Sequence, residues 1–471
     1  MLSLKKIINI SIKQQKQFNQ AIFKSGQQFC TKQENNENQE KKQAEYSDSD
    51  ADVDEEQNDV YYKLRSDDLQ QYYHGSGYTE KERLDGYATP EGTKKYAQIN
   101  PLVSKDHFKT PYGSDLKISS LGIGSYRNSF EEIERLVVFN SYIESVLTGG
   151  VNYLDTSINS SGMSSERVLG AVLRYLQDNN QITRDQLFIS TKHGKFTEDF
   201  DSGTSGTKYI GKLLKSEQIK ESDVFERKCY HPTFLEHQFK HSLQNIGVNT
   251  LDLVYINEPI AQTPEKFYDA MANAFEFYEN KVQQNQLRYY GVDSWQGFRS
   301  LQDDYFIHIE IGKLVEMAEK IAGKNNSFKF INFPLSHIMP DALTEKQQTL
   351  KLSEEKQINT TIFEIADYYK ININTKSPLA GGAALNEELP ENVFPYEKNT
   401  DRHIQFARST PSNAYISCIM GTGRQINLLH KLQLIEQDLI PQESMYKFYK
   451  KDKIKVGNLN FVQQQYDDQK E

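Results

Sequence analysis

Val151-Asn152-Tyr153-Leu154-Asp155 is followed by Ser165-Glu166-Arg167-Val168-Leu169-Gly170-Ala171-Val172-Leu173-Arg174-Tyr175-Leu176-Gln177, and then by Leu187-Phe188-Ile189-Ser190-Thr191-Lys192. A short apolar run, a longer stretch of helical period and a second short apolar run make a βαβ unit, whose strands are parallel. The same alternation repeats on both sides. Strand-like runs occur at Leu121 to Gly124, Val151 to Asp155, Leu187 to Lys192, Leu251 to Ile256, Tyr289 to Val292, Phe328 to Phe333, Ile371 to Lys376 and Tyr415 to Met420. Helix-like stretches lie behind them at Phe130 to Leu147, Ser165 to Gln177, Thr233 to Ile246 and Pro264 to Gln284. Eight strands with crossover helices predict an α/β fold, a single (β/α)8 TIM barrel over residues 107–440. Phe108 to Thr110 and Leu116 to Ile118 flank Pro111-Tyr112-Gly113-Ser114, which predicts a hairpin across the barrel bottom.

A barrel gathers its chemistry at the C-terminal ends of its strands, where the loops converge. Those ends read Gly124-Ser125-Tyr126, Asp155-Thr156, Lys192-His193, Asn257-Glu258, Asp293-Ser294-Trp295, Asn332, Ser377-Pro378-Leu379 and Gly421-Thr422-Gly423-Arg424. Asp155 and Lys192 end adjacent strands and are expected to form a buried ion pair, each lowering the cost of burying the other. Trp295, the single tryptophan, is expected to pack at the mouth. His237 and His241 lie four apart on a helix, but the order Glu-His-x-x-x-His is not that of a zinc-binding helix. They read as a solvated face, and no metal site is expected.

Composition bounds the alternatives. The 471 residues are 37% hydrophobic and 25% charged, with 26 Gly and 13 Pro, which is ordinary globular usage. Mean hydropathy is -0.71, and no stretch approaches the roughly 18 apolar residues of a membrane span. Cys30, Cys229 and Cys418 are too few for a disulfide framework, which suggests a reducing compartment. The net charge is -10, unevenly distributed. Residues 1–33 carry six lysines and no acid, whereas residues 34–59 carry eleven acids against Lys41 and Lys42. The body beyond them is acidic, which argues against nucleic-acid binding. Leu4, Ile8 and Ile12 give the basic terminus one apolar side. Residues 1–32 therefore read as a mitochondrial transit peptide, and the destination as the matrix or a matrix-facing assembly. Residues 33–59 read as an acidic disordered linker, residues 60–106 as an N-terminal extension and residues 441–471 as a polar C-terminal tail.

At its strand ends the chain resembles the aldo-keto reductases. The resemblance rests on Leu121-Gly122-Ile123-Gly124-Ser125-Tyr126, on Gly150 to Ser157 followed by Ser165-Glu166-Arg167-Val168-Leu169-Gly170, and on Ile189-Ser190-Thr191-Lys192. Leu251 to Ile256, Tyr290-Gly291-Val292 and Ser377-Pro378-Leu379-Ala380-Gly381-Gly382 follow in family order. It implies an NADP-dependent oxidoreductase fold in which an Asp–Lys pair lowers the pKa of a Tyr that protonates a carbonyl while hydride arrives from NADP(H). Asp155 and Lys192 match that pair. The position of the tyrosine is Ser160 and that of the orienting histidine is Asn257. For the cofactor, the resemblance assigns Gly124, Ser125 and Tyr126 to the nicotinamide, Asn332 to its carboxamide, Ser377 and Leu379 to the pyrophosphate, and Gly421 and Arg424 to a 2'-phosphate. Asp293, Lys376, His430 and Lys431 depart from the family pattern, so the NADP(H) site reads as weakened.

A serine hydroxyl is a far weaker acid than a phenol of pKa about 10 and lacks the ring's reach. The expectation is therefore a catalytically impaired pseudoenzyme, a structural or NADP(H)-binding subunit with protein partners in a mitochondrial complex. The alternative is an active NADPH-dependent oxidoreductase acting on a small-molecule carbonyl. A third reading is a redox sensor that reports NADP(H) to a partner.

Overall fold

The computed structural model describes residues 65–100, 102–126, 131–180, 182–299, 307–353, 355–421, 428 and 431–451. The expected transit peptide, linker and distal tail, together with Arg424 and His430, lie outside the described residues.

Eight parallel strands close into a barrel in chain order. They are β1 (Leu121–Gly124), β2 (Tyr153–Asp155), β3 (Phe188–His193), β4 (Leu251–Asn257), β5 (Leu287–Asp293), β6 (Phe328–Pro334), β7 (Asn372–Lys376) and β8 (Tyr415–Gly421). Helices α1 (Glu132–Leu147), α2 (Ser164–Asn180), α3 (Pro232–Ile246), α4 (Pro264–Gln283), α5 (Ile311–Ala322), α6 (Ile362–Tyr369) and α7 (Asn399–Arg408) return the chain between successive strands. A further helix, α8 (Gln442–Lys451), follows the barrel. All eight expected strands form, each within two residues of its sequence limits.

Local sequence accounts for these boundaries. Helix α3 starts with Pro232 in its first turn, where the missing N–H costs nothing, and ends at Gly247 with φ 68. Helix α6 opens with a reciprocal capping box between Thr361 and Glu364. In α2, Leu169, Val172, Leu173 and Leu176 are buried at helical spacing and face the sheet.

Strand residues alternate between an outer core under the helices and the barrel interior. The lower interior is apolar: Phe188, Leu253, Phe330 and Ile416 pack there with Leu116 and Ile118. The latter two come from the predicted hairpin, whose strands Phe108–Lys109 and Ile118–Ser119 pair antiparallel. The middle layer is polar and hydrogen-bonded, with Asn374 Nδ2 donating to Tyr153 Oη at 3.1 Å and to Tyr255 Oη at 2.9 Å. One residue pair further along each strand, the interior positions are Gly124, Asp155, Lys192, Asn257, Asp293, Asn332, Lys376 and Gly421. The alternation of eight strands thus delivers one ring of mostly polar side chains to the mouth.

The segment between β3 and α3 is an insertion with its own helix, Gly206–Lys215, and a two-stranded ribbon, Val224–Phe225 with Lys228–Cys229. Phe196, Ile210, Leu213, Ile219, Cys229 and Phe234 give it a separate small core. No helix among the described residues is long and apolar enough to cross a membrane.

Candidate functional site

Lys192 Nζ lies 2.7 and 2.5 Å from the two carboxylate oxygens of Asp155 and donates to the Thr156 carbonyl at 2.9 Å. Both side chains are buried. Ser190 Oγ donates to Asp155 Oδ1 at 2.5 Å and lies 3.0 Å from Tyr153 Oη. The pair is therefore held from below by the polar middle layer. Burial pushes the Asp155 carboxyl above the usual carboxylate range, and the charge and hydrogen bonds of Lys192 pull it only part of the way back. Tyr153 is fully buried and burial drives its phenol well above 10. Through Ser190 it supports the pair from below.

Ser160 is buried in the loop after β2, where its N–H donates to the Ser157 carbonyl at 3.0 Å. Its neighbour Asn159 accepts from Ser157 Oγ at 2.5 Å and from Asn257 Nδ2 at 3.0 Å. Asn159 therefore ties the loop carrying Ser160 to the strand end carrying Asn257. Sequence reading assigned Asn159 no role, because an Asn in a loop has no local signal for a partner 98 residues away.

A second ion pair occupies the opposite side of the mouth. Lys376 Nζ lies 2.7 Å from Asp293 Oδ1 and 3.2 Å from Glu258 Oε1. Glu258 Oε2 in turn accepts from the Trp295 N–H at 2.8 Å. Burial alone would lower the lysine's pKa, but Asp293 and Glu258 outweigh it and hold the ammonium above the usual lysine range. The two departures at Asp293 and Lys376 are thus partners of one another. Glu258, the third member, has φ 48, a conformation that non-glycine residues adopt at a cost. Trp295 does not pack as expected: it is 40% exposed, with Lys376 Nζ 5.7 Å from its ring centroid. It stands just beyond the end of β5, partly open to solvent.

Asp293 and Lys376 straddle β6, which carries Asn332 between them. Asn332 is fully buried, and neither its Oδ1 nor its Nδ2 has a hydrogen-bond partner. An unpaired buried amide is costly, and a carboxamide is a group that satisfies both its donor and its acceptor. This is the point at which the residues fit a nicotinamide.

The other described residues expected at the cofactor lie at or just beyond the strand ends around the same mouth. Ser125 is buried, with its N–H on the Asp155 carbonyl at 3.2 Å and its Oγ 2.9 Å from Thr156 Oγ1. Tyr126 is 68% exposed. Gly421 pairs with Gly124 across β8 and β1. Ser377 has φ 57, and Ala380, Gly381 and Gly382 also lie in the left-handed region, so the loop carrying Leu379 is a tightly coiled turn at the end of β7. Asp155, Lys192, Asn257, Asn332, Asp293 and Lys376 are brought together; Gly421 sits at the edge of this group.

Residues 119–303 match the family model described as aldo/keto reductase family. No curated protein matches the chain. Among solved structures, an aldo-keto reductase from Bacillus halodurans in its holo form is similar at 17% identity, covering 75% of this chain and 99% of that one with a TM-score of 0.49. An aldo/keto reductase from Klebsiella pneumoniae in complex with NADP and acetate is similar at 10% identity, covering 74% of this chain and 96% of that one with a TM-score of 0.46. The segment 119–303, which runs from β1 through β5 and carries Asp155, Ser160, Lys192, Asn257 and Asp293, belongs to the aldo/keto reductase family.

Proposed function

We propose that this chain is a catalytically impaired member of the family, kept as a structural or NADP(H)-binding subunit of a mitochondrial assembly. The observation that carries the reading is the pairing of Asp293 with Lys376 over the strand that carries Asn332; beside it, the resemblance puts Ser160 at the position of the proton donor. General-acid catalysis needs a donor of suitable pKa within hydrogen-bond reach of the reacting oxygen, and contributes about 10²- to 10⁴-fold. Ser160 offers an aliphatic hydroxyl, and the Asp155–Lys192 pair no longer has a phenol to activate.

NADP(H), when bound, supplies the hydride. Asn332 would meet its carboxamide, Gly124 and Ser125 would border the nicotinamide, and Ser377 and Leu379 the pyrophosphate. The Asp293–Lys376 ion pair flanks Asn332 and must share its space, which is why binding is expected to be weak. The mitochondrial assignment rests on the basic, acid-free stretch 1–32.

One observation favours the alternative of an active NADPH-dependent reductase of a small carbonyl. The Asp155–Lys192 pair is intact and buried. A single experiment on the full chain separates the readings: titration with NADPH by cofactor fluorescence, followed by a carbonyl-substrate screen. The proposal expects weak or absent binding and no reduction above background. Turnover that disappears in Lys192→Met would overturn it, and Ser160→Tyr would then be expected to raise the rate.

A further inference from the structure

Beneath the insertion, between residues 197–206 and helix α3, lies a cavity of about 160 Å³. Met163, Tyr209 and Phe234 form its apolar walls, and His237 and His241 line it from α3. The two histidines are half-buried rather than fully solvated, with the insertion packed against them. The Tyr209 ring stacks on His237 at 3.7 Å, and His241 meets His237 edge-on at 4.4 Å. Among the described residues, neither imidazole has a hydrogen-bond partner. Ser205 also borders the cavity, at the N-cap of the insertion helix, and its side chain caps no helix N–H.

Size and charge narrow what the cavity accepts. An enclosed apolar cavity of about 150 Å³ takes up benzene, so this partly open pocket has room of the order of a single ring. The facing charges cancel or are absent. Asp199 is held by Arg167 through both oxygens, at 2.7 and 3.0 Å. Burial pushes His237 down to about 4 and lowers His241 as well, so both are neutral at pH 7. No counter-charge awaits an anion or a cation. The described residues contain no group of three or more side chains able to hold a metal ion. What is left without a protein hydrogen-bond partner among the described residues is neutral capacity beside the apolar walls: two half-buried imidazoles and a serine hydroxyl.

We propose that this cavity binds a neutral single-ring aromatic carrying one hydroxyl, a phenol-class ligand, at a site separate from the strand-end mouth. The ring fills the space between Met163, Tyr209 and Phe234, and the hydroxyl satisfies His237 or His241. Met163 lies three residues beyond Ser160, and Thr197 five beyond Lys192, so an occupant touches both loops that border the mouth. The proposal does not depend on cofactor binding or on turnover.

The test is ¹⁹F NMR titration of the full chain with 4-fluorophenol, using 4-fluorotoluene as the ring without the hydroxyl. Saturable broadening by 4-fluorophenol is expected, with 4-fluorotoluene about tenfold weaker, the worth of one neutral hydrogen bond. His237→Phe and His241→Phe keep a ring in place, and at least one is expected to weaken 4-fluorophenol by about tenfold while leaving the melting temperature near that of the parent. No binding by the folded parent overturns the proposal. So does equal binding of the two probes, or binding unchanged in both histidine variants.

Discussion

Lys192 is buried between Asp155 and the Thr156 carbonyl, so each member of the pair makes the other's burial tolerable. Removing one partner of a buried pair costs about 3–5 kcal/mol because the remaining charge is uncompensated. Lys192→Met and Asp155→Asn are each expected to destabilise by that order in urea unfolding, and the double variant by clearly less than the sum. Additive losses would show that the two side chains are not coupled. A separate residue-level expectation concerns His193. It is fully buried, with Nδ1 3.1 Å from Tyr278 Oη and Nε2 2.9 Å from Ser242 Oγ. Burial holds its pKa at about 3, against about 6.5 in the unfolded chain. The native state therefore binds fewer protons. The stability this group contributes is complete above pH about 6.5 and is lost as pH falls toward 3, at about 1.4 kcal/mol per pH unit. His107 behaves in the same way, also with a pKa of about 3. Urea unfolding between pH 6.5 and 4.5 should show this slope, and His193→Gln should flatten it by about one proton. An unchanged slope in that variant would remove His193 from the account.

The loops after β2 and β3 are locked together. The Phe200 N–H donates to the Gly162 carbonyl at 3.3 Å, and a Cβ on Gly162 would lie 1.6 Å from Phe200 Cδ2, at a backbone φ of +54. Behind them, Arg167 binds Asp199 and Asp201, while Asp201 also accepts from Arg135 and Tyr73. Gly162→Ala is expected to destabilise by about 1–3 kcal/mol from the strained backbone alone and further from the clash. Phe200→Ala in the same chain should relieve the clash but not the strain, measured as a double-mutant cycle in thermal unfolding. A strictly additive cycle would mean that the two loops do not meet. This scale also shows what the sequence could reveal. The eight strands were legible because each is a short apolar run bounded by turn residues, and Asp155 and Lys192 because they end neighbouring strands. The Asp293–Lys376 pair was not, since its members are 83 residues apart on strands that flank a third. Asn159 and the cavity over His237 were hidden for the same reason: both depend on how long loops fold back, and loops carry no periodic signal.

The barrel is closed below by the hairpin and bound to the segments that follow it. Arg408 is fully buried and, with no carboxylate partner among the described residues, donates to Ser120 Oγ at 2.8 Å, to the Leu434 carbonyl at 2.6 Å and to the Gln437 carbonyl at 3.0 Å. Helix α8 continues this closure. Met445, Phe448 and Tyr449 are buried, with the Phe448 ring 5.3 Å from Phe394, 6.2 Å from Phe406 and 5.8 Å from His337. A polar stretch in sequence thus contributes apolar anchors to the core, through three side chains at helical spacing. Each anchor of this kind is worth roughly 1.5–3 kcal/mol by area, and their sum is comparable to the roughly 5–15 kcal/mol that holds a whole domain folded. Phe448→Ala should therefore cost about 3–5 kcal/mol. A chain ending at Ile440 should lose its cooperative thermal transition and bind a hydrophobic dye, because Phe394 and Phe406 lose their cover. A truncated chain that still melts in one sharp transition near the parent temperature would place α8 outside the cooperative core and leave the barrel, with its hairpin and Arg408, as the complete folding unit.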